Sequence, residues 1–202
     1  MTTETAPATS AKMLNNRDLM RMYWRSTFLL GSFNFERMQA MGFCYTLMPA
    51  IRKFYRDDKS AQAAALKRHL EFYNTHPWVS SAVFGVTAAM EEQKSKGEEI
   101  SEETITSVKV GLMGPLAGVG DPIFWGTARP VLAALGASLA VNGSIVGPLL
   151  FFVGINLLRV LTRWYGLRFG YERGTEMVTE VGGGQLKKIT QMAAIMGLFV
   201  MG

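Results

Sequence analysis

One carboxylate stands alone in a strongly apolar part of the sequence. Asp121 lies within residues 108–129, VKVGLMGPLAGVGDPIFWGTAR, among Leu, Val, Ile, Phe and Trp. Removing a charged carboxylate from water is costly unless another group pairs with it. Five residues of types that break helices and let backbones approach closely surround it: Gly114, Pro115, Gly118, Gly120 and Pro122. A single acid within broken helical sequence is typical of a transport site in a membrane.

Two other interpretations of this stretch are available. A nucleotide-binding loop would need GxxxxGK[ST], or GxGxxG after a strand, and neither pattern occurs here. Alternatively, Asp121 is the N-cap of a helix whose first residue is Pro122, which is a strong helix-start signal. A helix N-terminus within a membrane can cap itself and also face a substrate, so this interpretation is compatible with a transport site.

Other side chains are candidates for a substrate path: Asn34, Gln39, Trp125 and Thr127. Each hydroxyl of a sugar needs a fixed donor or acceptor, which amide, carboxylate and hydroxyl groups supply. Asn34 is equally well explained as the N-cap of a helix beginning at Phe35. Such polar groups are few in the apolar sequence.

The other reactive residue types favour structural roles. Cys44 lies between aromatic residues with no histidine nearby, which indicates inert core packing. His69 and His76 lie seven residues apart and lack a third metal ligand or any phosphohistidine signature. A solvated turn is predicted for the acidic residues Glu91, Glu92, Glu98, Glu99, Glu102 and Glu103. We therefore expect no catalytic residue, no metal and no cofactor.

Composition and charge indicate a membrane protein. The 202 residues are 49% apolar and carry a net charge of +5. Lys and Arg occur singly at the edges of apolar runs, which is typical of lipid anchors and topology markers. A basic nucleic-acid groove would need clustered charge, so we expect no direct nucleic-acid binding. We predict an all-α, polytopic membrane protein with interfacial amphipathic helices and broken or re-entrant helical hairpins.

Four segments follow along the chain. Residues 1–15 are predicted to be a flexible tail without the apolar core of a signal peptide. Residues 16–107 form amphipathic or interfacial helices, and residues 108–165 form the membrane-embedded broken-helix region. An interfacial segment and the start of a further membrane helix occupy residues 166–202. Helices are predicted at 16–30, 35–54, 61–73 and 78–90, after Ser101 and from Ile189, with a flexible turn at 181–185.

The first predicted helix carries a basic face. Arg17, Arg21 and Arg25 are spaced four residues apart and therefore align along one side. Tyr23 and Trp24 lie beside them, which favours a helix lying in the membrane interface. A soluble amphipathic helix would show a similar pattern. We likewise interpret the arginines and aromatic residues of 163–173 as an interfacial anchor.

Residues 130–158 form the longest uncharged stretch. Asn142-Gly143 and Gly147-Pro148 interrupt it near the middle, so it is either one kinked span or a re-entrant hairpin. Two half-helices of about 12–15 residues would each be about 20 Å long. That is too short for a hydrocarbon core of about 30 Å. Arginines at both ends favour the hairpin, with both ends on the cytoplasmic side.

Several stretches carry a family resemblance. They are SFNFERMQAMGFCYTLMPAIRK at 32–53, KRHLEFYNTHP at 67–77, KVGLMGPLAGVGDPIFWGTARPVLAALG at 109–136, and the closing GGG and AAIMGLFVMG. From about residue 16 onward, the sequence resembles the IID subunit of mannose-family sugar phosphotransferase systems. GPLAGVGDPIFWGT is the most specific of these motifs. The family pattern continues past Gly202, so we expect this chain to be a truncated form.

The resemblance implies a subunit that pairs with a IIC subunit to translocate a hexose. It also implies a trimer of IIC–IID pairs in the bacterial cytoplasmic (inner) membrane, with a cytoplasmic N-terminus. Phosphoryl transfer belongs to histidines of the cytoplasmic IIA and IIB proteins, so this subunit would be non-catalytic. Family members also act as receptors for bacteriocins and in phage DNA entry. The alternative is a scaffold or receptor subunit that supplies interface and partner docking while IIC holds the sugar.

Overall fold

The computed structural model describes residues 12–181, and the side chains of residues 12–174. Its helices are α1 (Asn16–Arg25), a 3-10 turn (Ser26–Phe28), α2 (Ala40–Phe54), α3 (Lys59–Arg68), α4 (Ser80–Ser95), α5 (Glu102–Gly120), a π-helical segment (Asp121–Ala128), α6 (Arg129–Val141) and α7 (Val146–Val181). Between Asn34 and Tyr73 there are two isolated β-bridges. The predicted all-α class is confirmed for these residues. Most of the predicted tail, the turn after Val181 and the helix from Ile189 lie outside the described ranges.

Helices α1 to α4 pack with residues 105–113 of α5 and with α7 around two hydrophobic clusters, and we call this region the body. Phe43 is fully buried and contacts the rings of Tyr73 and Phe84 at centroid distances of 4.3 and 5.1 Å. Helix α4 crosses α7 at very close range, since a Cβ at Gly85 would lie 2.4 Å from the carbonyl oxygen of Leu167. Glycine is therefore required at this crossing.

Residues 121–158 project from the body as an antiparallel helical hairpin, made of the π-helical segment, α6 and the first part of α7. The chain reverses between Val141 and Val146, with Gly143 at a φ of +74°. The two arms are in close contact there, since a Cβ at Gly147 would lie 2.2 Å from the carbonyl oxygen of Gly136. The reversal predicted at Asn142-Gly143 is thus present, because glycine adopts the left-handed conformation freely.

The arms of this hairpin are longer than the predicted half-helices. Two continuous helical stretches, Glu102–Val141 and Val146–Gly174, are long and apolar enough to cross a membrane. In each one, only 11% of the most apolar 18-residue window is buried within the chain. Both arms therefore present apolar surface outward.

The predicted break around Asp121 does not interrupt the helix. Helix α5 passes through the π-helical segment into α6, and Arg129 donates its backbone N–H to Phe124 five residues earlier. The wider π turn accommodates Pro122, which lacks an N–H and would clash with a normal α turn. Pro115 also lies inside α5. Asp121 has helical backbone angles and is therefore not an N-cap.

Other predicted boundaries shift for local reasons. Helix α2 begins at Ala40 and not at Phe35, because the Asn34 carboxamide accepts hydrogen bonds from the backbone of Glu36 and Arg37 and closes a turn. Asn34 is therefore not a helix N-cap. The helix predicted at 61–73 ends at Arg68, and that at 78–90 is observed as Ser80–Ser95. The start predicted at Ser101 is confirmed, since its hydroxyl accepts from the backbone of Thr104.

Two residues at the end of the predicted tail are attached to the body. The backbone N–H of Met13 donates to Glu92, and that of Leu14 donates to the Tyr171 hydroxyl. The tail prediction is therefore wrong for these residues, because both have partners on the body helices that the local composition does not reveal.

Candidate functional site

The π-helical segment presents Asp121 beside a cluster of aromatic rings. Its Phe124 and Trp125 pack against His76, with ring centroids 5.1 and 4.8 Å apart. Trp78 completes the cluster at 4.8 Å from Phe124 and 5.2 Å from Trp125. We call these five residues the aromatic site.

Gly120 allows the two parts of this site to meet. A Cβ at Gly120 would lie 2.7 Å from the Cβ of His76, which is closer than any side chain tolerates. The glycine singled out as a helix breaker therefore serves close packing. Gly114 has open space around it, with no atom within 4 Å of a Cβ placed there.

His76 is buried and keeps one nitrogen without a partner. Burial lowers the pKa of His76, and the opposite effect of the Asp121 carboxylate is weaker, so the imidazole is neutral near pH 7. Its Nδ1 accepts the backbone N–H of Trp78 at 3.3 Å, which places the proton on Nε2. Nε2 is buried and has no hydrogen-bond partner in the described part of the chain. An unpaired buried donor is rare in folded proteins and indicates a missing acceptor.

The exposed side of the site combines a carboxylate with an aromatic face. Asp121 is exposed, and Trp125 is 38% exposed. The Arg129 guanidinium lies 5.5 Å from the centre of the Trp125 ring and adds positive charge. A carboxylate accepts hydrogen bonds from hydroxyls, and an aromatic face packs against the apolar face of a ring. This arrangement can bind a polyhydroxylated ring, and it contains no nucleophile paired with a base.

The residues predicted to line a substrate path lie in two separate parts of the structure. Asp121, Trp125 and Thr127 share the π-helical segment, and Thr127 is exposed. Gln39 lies in the body, where its side chain donates to the Thr75 carbonyl at 2.8 Å. That bond fixes the loop leading to His76. Asn34 only closes its own turn, so the structure does not bring it to the site.

Sequence reasoning missed His76 and Trp78 as members of the site. His76 was assigned a structural role, and Trp78 was treated only as the start of an apolar helix. The sequence feature that could have indicated them is the motif THPW, in which a single proline separates the two aromatic rings. Their position opposite Asp121 depends on packing between distant segments, which local patterns do not report.

Glu91 was predicted to be solvated, and the structure overturns this. The side chain is fully buried and accepts hydrogen bonds from Arg68 at 2.8 Å and from Tyr55 at 2.7 Å. His69 Nε2 lies 2.8 Å from the same carboxylate. Burial alone would raise the pKa of Glu91, but the hydrogen bonds from His69 and Arg68 and the charge of Arg68 lower it to about 2. The partners of Glu91 come from α2 and α3, which the local charge pattern could not indicate.

His69 remains neutral within this cluster. Burial lowers its pKa and outweighs the effect of Glu91 in the opposite direction. Its Nδ1 is buried without a partner, which a neutral ring tolerates as a lone pair. Protonation would place an unpaired N–H there. Cys44 is also buried, and its thiol lies 3.5 Å from the Leu66 carbonyl oxygen, as expected for core packing.

Glu92 is the second acid wrongly predicted to be solvated. It is fully buried and accepts from the backbone of Met13 at 2.9 Å and from Lys96 at 2.6 Å. Tyr171 also donates a short hydrogen bond to it. Glu92 thereby joins the start of the chain to α4 and α7. No group of three or more His, Cys, Asp or Glu side chains that could hold a metal ion occurs among the described residues.

The sequence and fold match known sugar-transport components. A family model described as the PTS system mannose/fructose/sorbose family IID component matches residues 13–202. The mannose-specific EIID component of Escherichia coli (strain K12) is 54% identical over 199 residues, covering 98% of this chain and 70% of that protein. The fructose permease IID component of Bacillus subtilis (strain 168) is 56% identical over 191 residues, covering 95% and 69%.

A solved structure shows the same similarity in three dimensions. It is the cryo-electron microscopy structure of the mannose transporter ManYZ in complex with microcin E492. One of its chains superposes with a TM-score of 0.87 at 54% identity. The alignment covers 95% of this chain and 70% of the solved chain.

Proposed function

The chain belongs to the IID components of the mannose/fructose/sorbose phosphotransferase family, and from this premise we propose that its aromatic site lines a hexose path shared with a IIC subunit. It is the membrane IID subunit of a mannose-type permease. The single observation that carries the proposal is the unpaired Nε2 of His76 beside Asp121. A buried N–H without an acceptor is stabilised when a ligand or partner supplies an oxygen.

The chemistry of a hexose fits the groups that this site offers. Asp121 can accept from two sugar hydroxyls, and the half-exposed Trp125 can pack against the C–H face of the ring. Thr127 extends the same surface with a hydroxyl. These groups are too few for every hydroxyl of a hexose, so a IIC subunit supplies the rest.

The membrane arrangement is part of the same proposal. Residues 130–158 enter the bilayer as a re-entrant hairpin, and α1 lies in the interface of the bacterial cytoplasmic membrane with its N-terminus on the cytoplasmic side. Arg17, Arg21 and Trp24 are exposed on α1, which supports contact with lipid head groups. The predicted divisions at residues 107 and 165 remain part of this proposal.

The partners follow from the family. ManYZ is the mannose transporter named in the solved complex. We propose that this chain pairs with a IIC subunit, as a trimer of such pairs. The cytoplasmic IIA and IIB proteins would carry out phosphoryl transfer, with no catalytic residue on this subunit. The microcin E492 in that complex supports a role as a bacteriocin receptor, and phage DNA entry is the parallel proposal.

Hexose uptake by Asp121→Asn tests the site. The variant is expressed together with IIC, IIA and IIB, and its membrane level is measured alongside uptake. We expect uptake to fall at least tenfold at a normal protein level, because the amide replaces the carboxylate acceptor while keeping its size. Asp57→Asn, an exposed aspartate on the body, is the matched control and should leave uptake unchanged. Normal uptake by the Asp121→Asn variant would show that Asp121 does not bind the substrate. It would favour the alternative, in which this subunit is a scaffold and IIC holds the sugar.

A further inference from the structure

A cavity of about 180 Å³ opens between α7, the 3-10 turn and the loop before α4. Its lining includes the hydroxyls of Ser26 and Thr27, the ring of Trp78, and two guanidinium groups, those of Arg159 and Arg163. A single water needs only about 10–15 Å³ of such space. The cavity can therefore hold a larger polar group.

Arg163 is fixed at the base of this cavity. It was predicted to be an interfacial anchor, but it is only 4% exposed. Its Nη2 donates to the Tyr23 carbonyl at 2.8 Å and to the Thr27 hydroxyl at 3.0 Å. The guanidinium also lies 4.9 Å from the centre of the Tyr23 ring. These contacts orient the cation without neutralising it.

Arg159 lies one helical turn away and carries a second uncompensated charge. Its Nε is buried and has no hydrogen-bond partner among the described residues. Neither Arg159 nor Arg163 forms an ion pair with any carboxylate in that part of the chain. Two neighbouring cations repel each other and lose hydration, so an anion between them would be strongly stabilised.

The position of the cavity along the hairpin identifies the anion. Arg129 is 141 − 129 = 12 residues before the end of α6. On the other arm, Arg159 is 159 − 146 = 13 residues beyond the start of α7. At 1.5 Å per residue, both arginines lie about 20 Å from the turn. The residues between them are uncharged, so Arg129 and Arg159 lie where apolar surface meets the phosphate layer.

We propose that Arg159 and Arg163, with the Thr27 hydroxyl, bind the phosphodiester of a phospholipid head group. The planar guanidinium groups match the geometry of phosphate oxygens. Leu30 lines the cavity and is 50% exposed, and Phe28, which follows Thr27 in the chain, is 62% exposed. These two side chains provide an apolar surface for the acyl chains. A free phosphate ion would gain nothing from that surface. The inference rests on the membrane placement in the proposed function, but not on the sugar path.

Native mass spectrometry of the detergent-purified complex with IIC tests the site. The probes are phosphatidylglycerol, a diacylglycerol of the same chain length, and inorganic phosphate. We expect one tightly retained phosphatidylglycerol per chain, no competition from diacylglycerol, and no displacement by millimolar phosphate. Arg159→Gln should weaken retention at least tenfold. Arg168→Gln, an exposed arginine on the same helix that pairs with Glu172, should not.

Arg163→Lys provides a second variant if Arg159→Gln fails to fold, because lysine keeps the charge and loses the bidentate geometry of the guanidinium. It should weaken retention while thermal stability stays within a few degrees of the unmodified complex. Equal retention by the unmodified complex and Arg159→Gln would overturn the proposal. So would displacement by inorganic phosphate, which would assign the cavity to a free anion. Hexose uptake is measured separately. Loss of uptake with intact lipid retention would contradict only the proposed role of the aromatic site in sugar transport, and not the lipid site.

Discussion

The body and the hairpin are both helical, yet they bury their side chains in opposite ways. In the body, even the acids Glu91 and Glu92 are fully buried and have hydrogen-bond partners within the chain. In the hairpin, Val141 and Ile145 are 86% and 71% exposed. The body therefore pairs these two buried acids within the chain, whereas the hairpin relies on lipid or a partner subunit for its apolar surface.

This difference separates two sources of stability. Breaking a buried ion pair from one side leaves an uncompensated charge, which is costly wherever it occurs. Apolar side chains in lipid gain nothing from contact with each other beyond close packing, so small residues such as Gly136 and Gly147 hold the arms together. Substitutions in the two regions should accordingly fail by different mechanisms.

Glu91→Gln should give the largest loss of stability. The amide cannot balance the charge at the Arg68 Nε, and the remaining acid, Glu102, is half-exposed and contacts only Nη1. We therefore expect a loss at the lower end of about 3–5 kcal/mol. Thermal unfolding of the detergent-purified complex measures it. Glu98→Gln, at an exposed acid of the same acidic segment, is the control and should leave the melting temperature unchanged. If both variants have the melting temperature of the unmodified complex, Glu91 and its hydrogen-bond partners do not stabilise the body.

Gly147→Leu should disturb the hairpin alone. The new side chain would collide with the Gly136 carbonyl, and overpacking of this kind costs about 1–3 kcal/mol. Backbone amide hydrogen exchange in α6 and the first part of α7 should become faster in the detergent-purified complex, while exchange in the body is unchanged. Gly114→Leu, in α5, is the matched control, because nothing lies within 4 Å of a Cβ there. Equal exchange rates in the two variants would contradict close packing of the arms.

Mild acid should weaken the body before the hairpin. Burial lowers the pKa of His69 below its ordinary 6.5, so the unfolded chain binds more protons and stability falls as the pH drops below about 6.5. Glu91 adds a second loss between pH 4.5 and about 2, as its carboxylate is protonated. Melting temperatures at pH 8 and 5.5 measure the first step.

The variants His69→Gln and His76→Gln separate the two buried histidines in this experiment. The pKa of His76 is also lowered by burial, so each ring should account for part of the change between pH 8 and 5.5. A melting temperature that keeps its full pH dependence in both variants would exclude the histidines as its source.

Arg168→Gln should have the smallest effect. Its ion pair with Glu172 joins two partly exposed side chains at 3.3 Å, and such pairs contribute about 0–1 kcal/mol. The same melting experiment checks this value. A loss of stability as large as that of Glu91→Gln would contradict the expectation that buried charges stabilise this protein more than exposed ones.

Local signals in the sequence predicted the elements that depend on a few neighbouring residues. The start of α5 at Ser101 and the reversal at Asn142-Gly143 needed only capping and turn chemistry. The break expected at Pro122 failed because a π turn absorbs the proline without ending the helix. Propensity rules treat proline as a helix end and do not describe this alternative.

Long-range pairing limited the prediction of the candidate site. Asp121 and Trp125 were found because a lone acid and an aromatic ring are visible in a single stretch. His76 reaches them only through the contact at Gly120, which joins segments distant in sequence. Glu91 likewise takes its partners from α2 and α3. A series of acidic residues in the sequence therefore does not show which of them are exposed to solvent, because this depends on the helices that pack around them.

Helix α7 is the one element that belongs to both regions. Its 36 residues give a rod of about 54 Å without a break. Arg163, which contacts Tyr23 and Ser26, lies about 26 Å along this rod from the turn of the hairpin. Because a continuous helix bends little, a tilt imposed on the apolar end must displace the other end in proportion. Mechanical force from a neighbouring subunit would thus reach α1 without any flexible joint along α7.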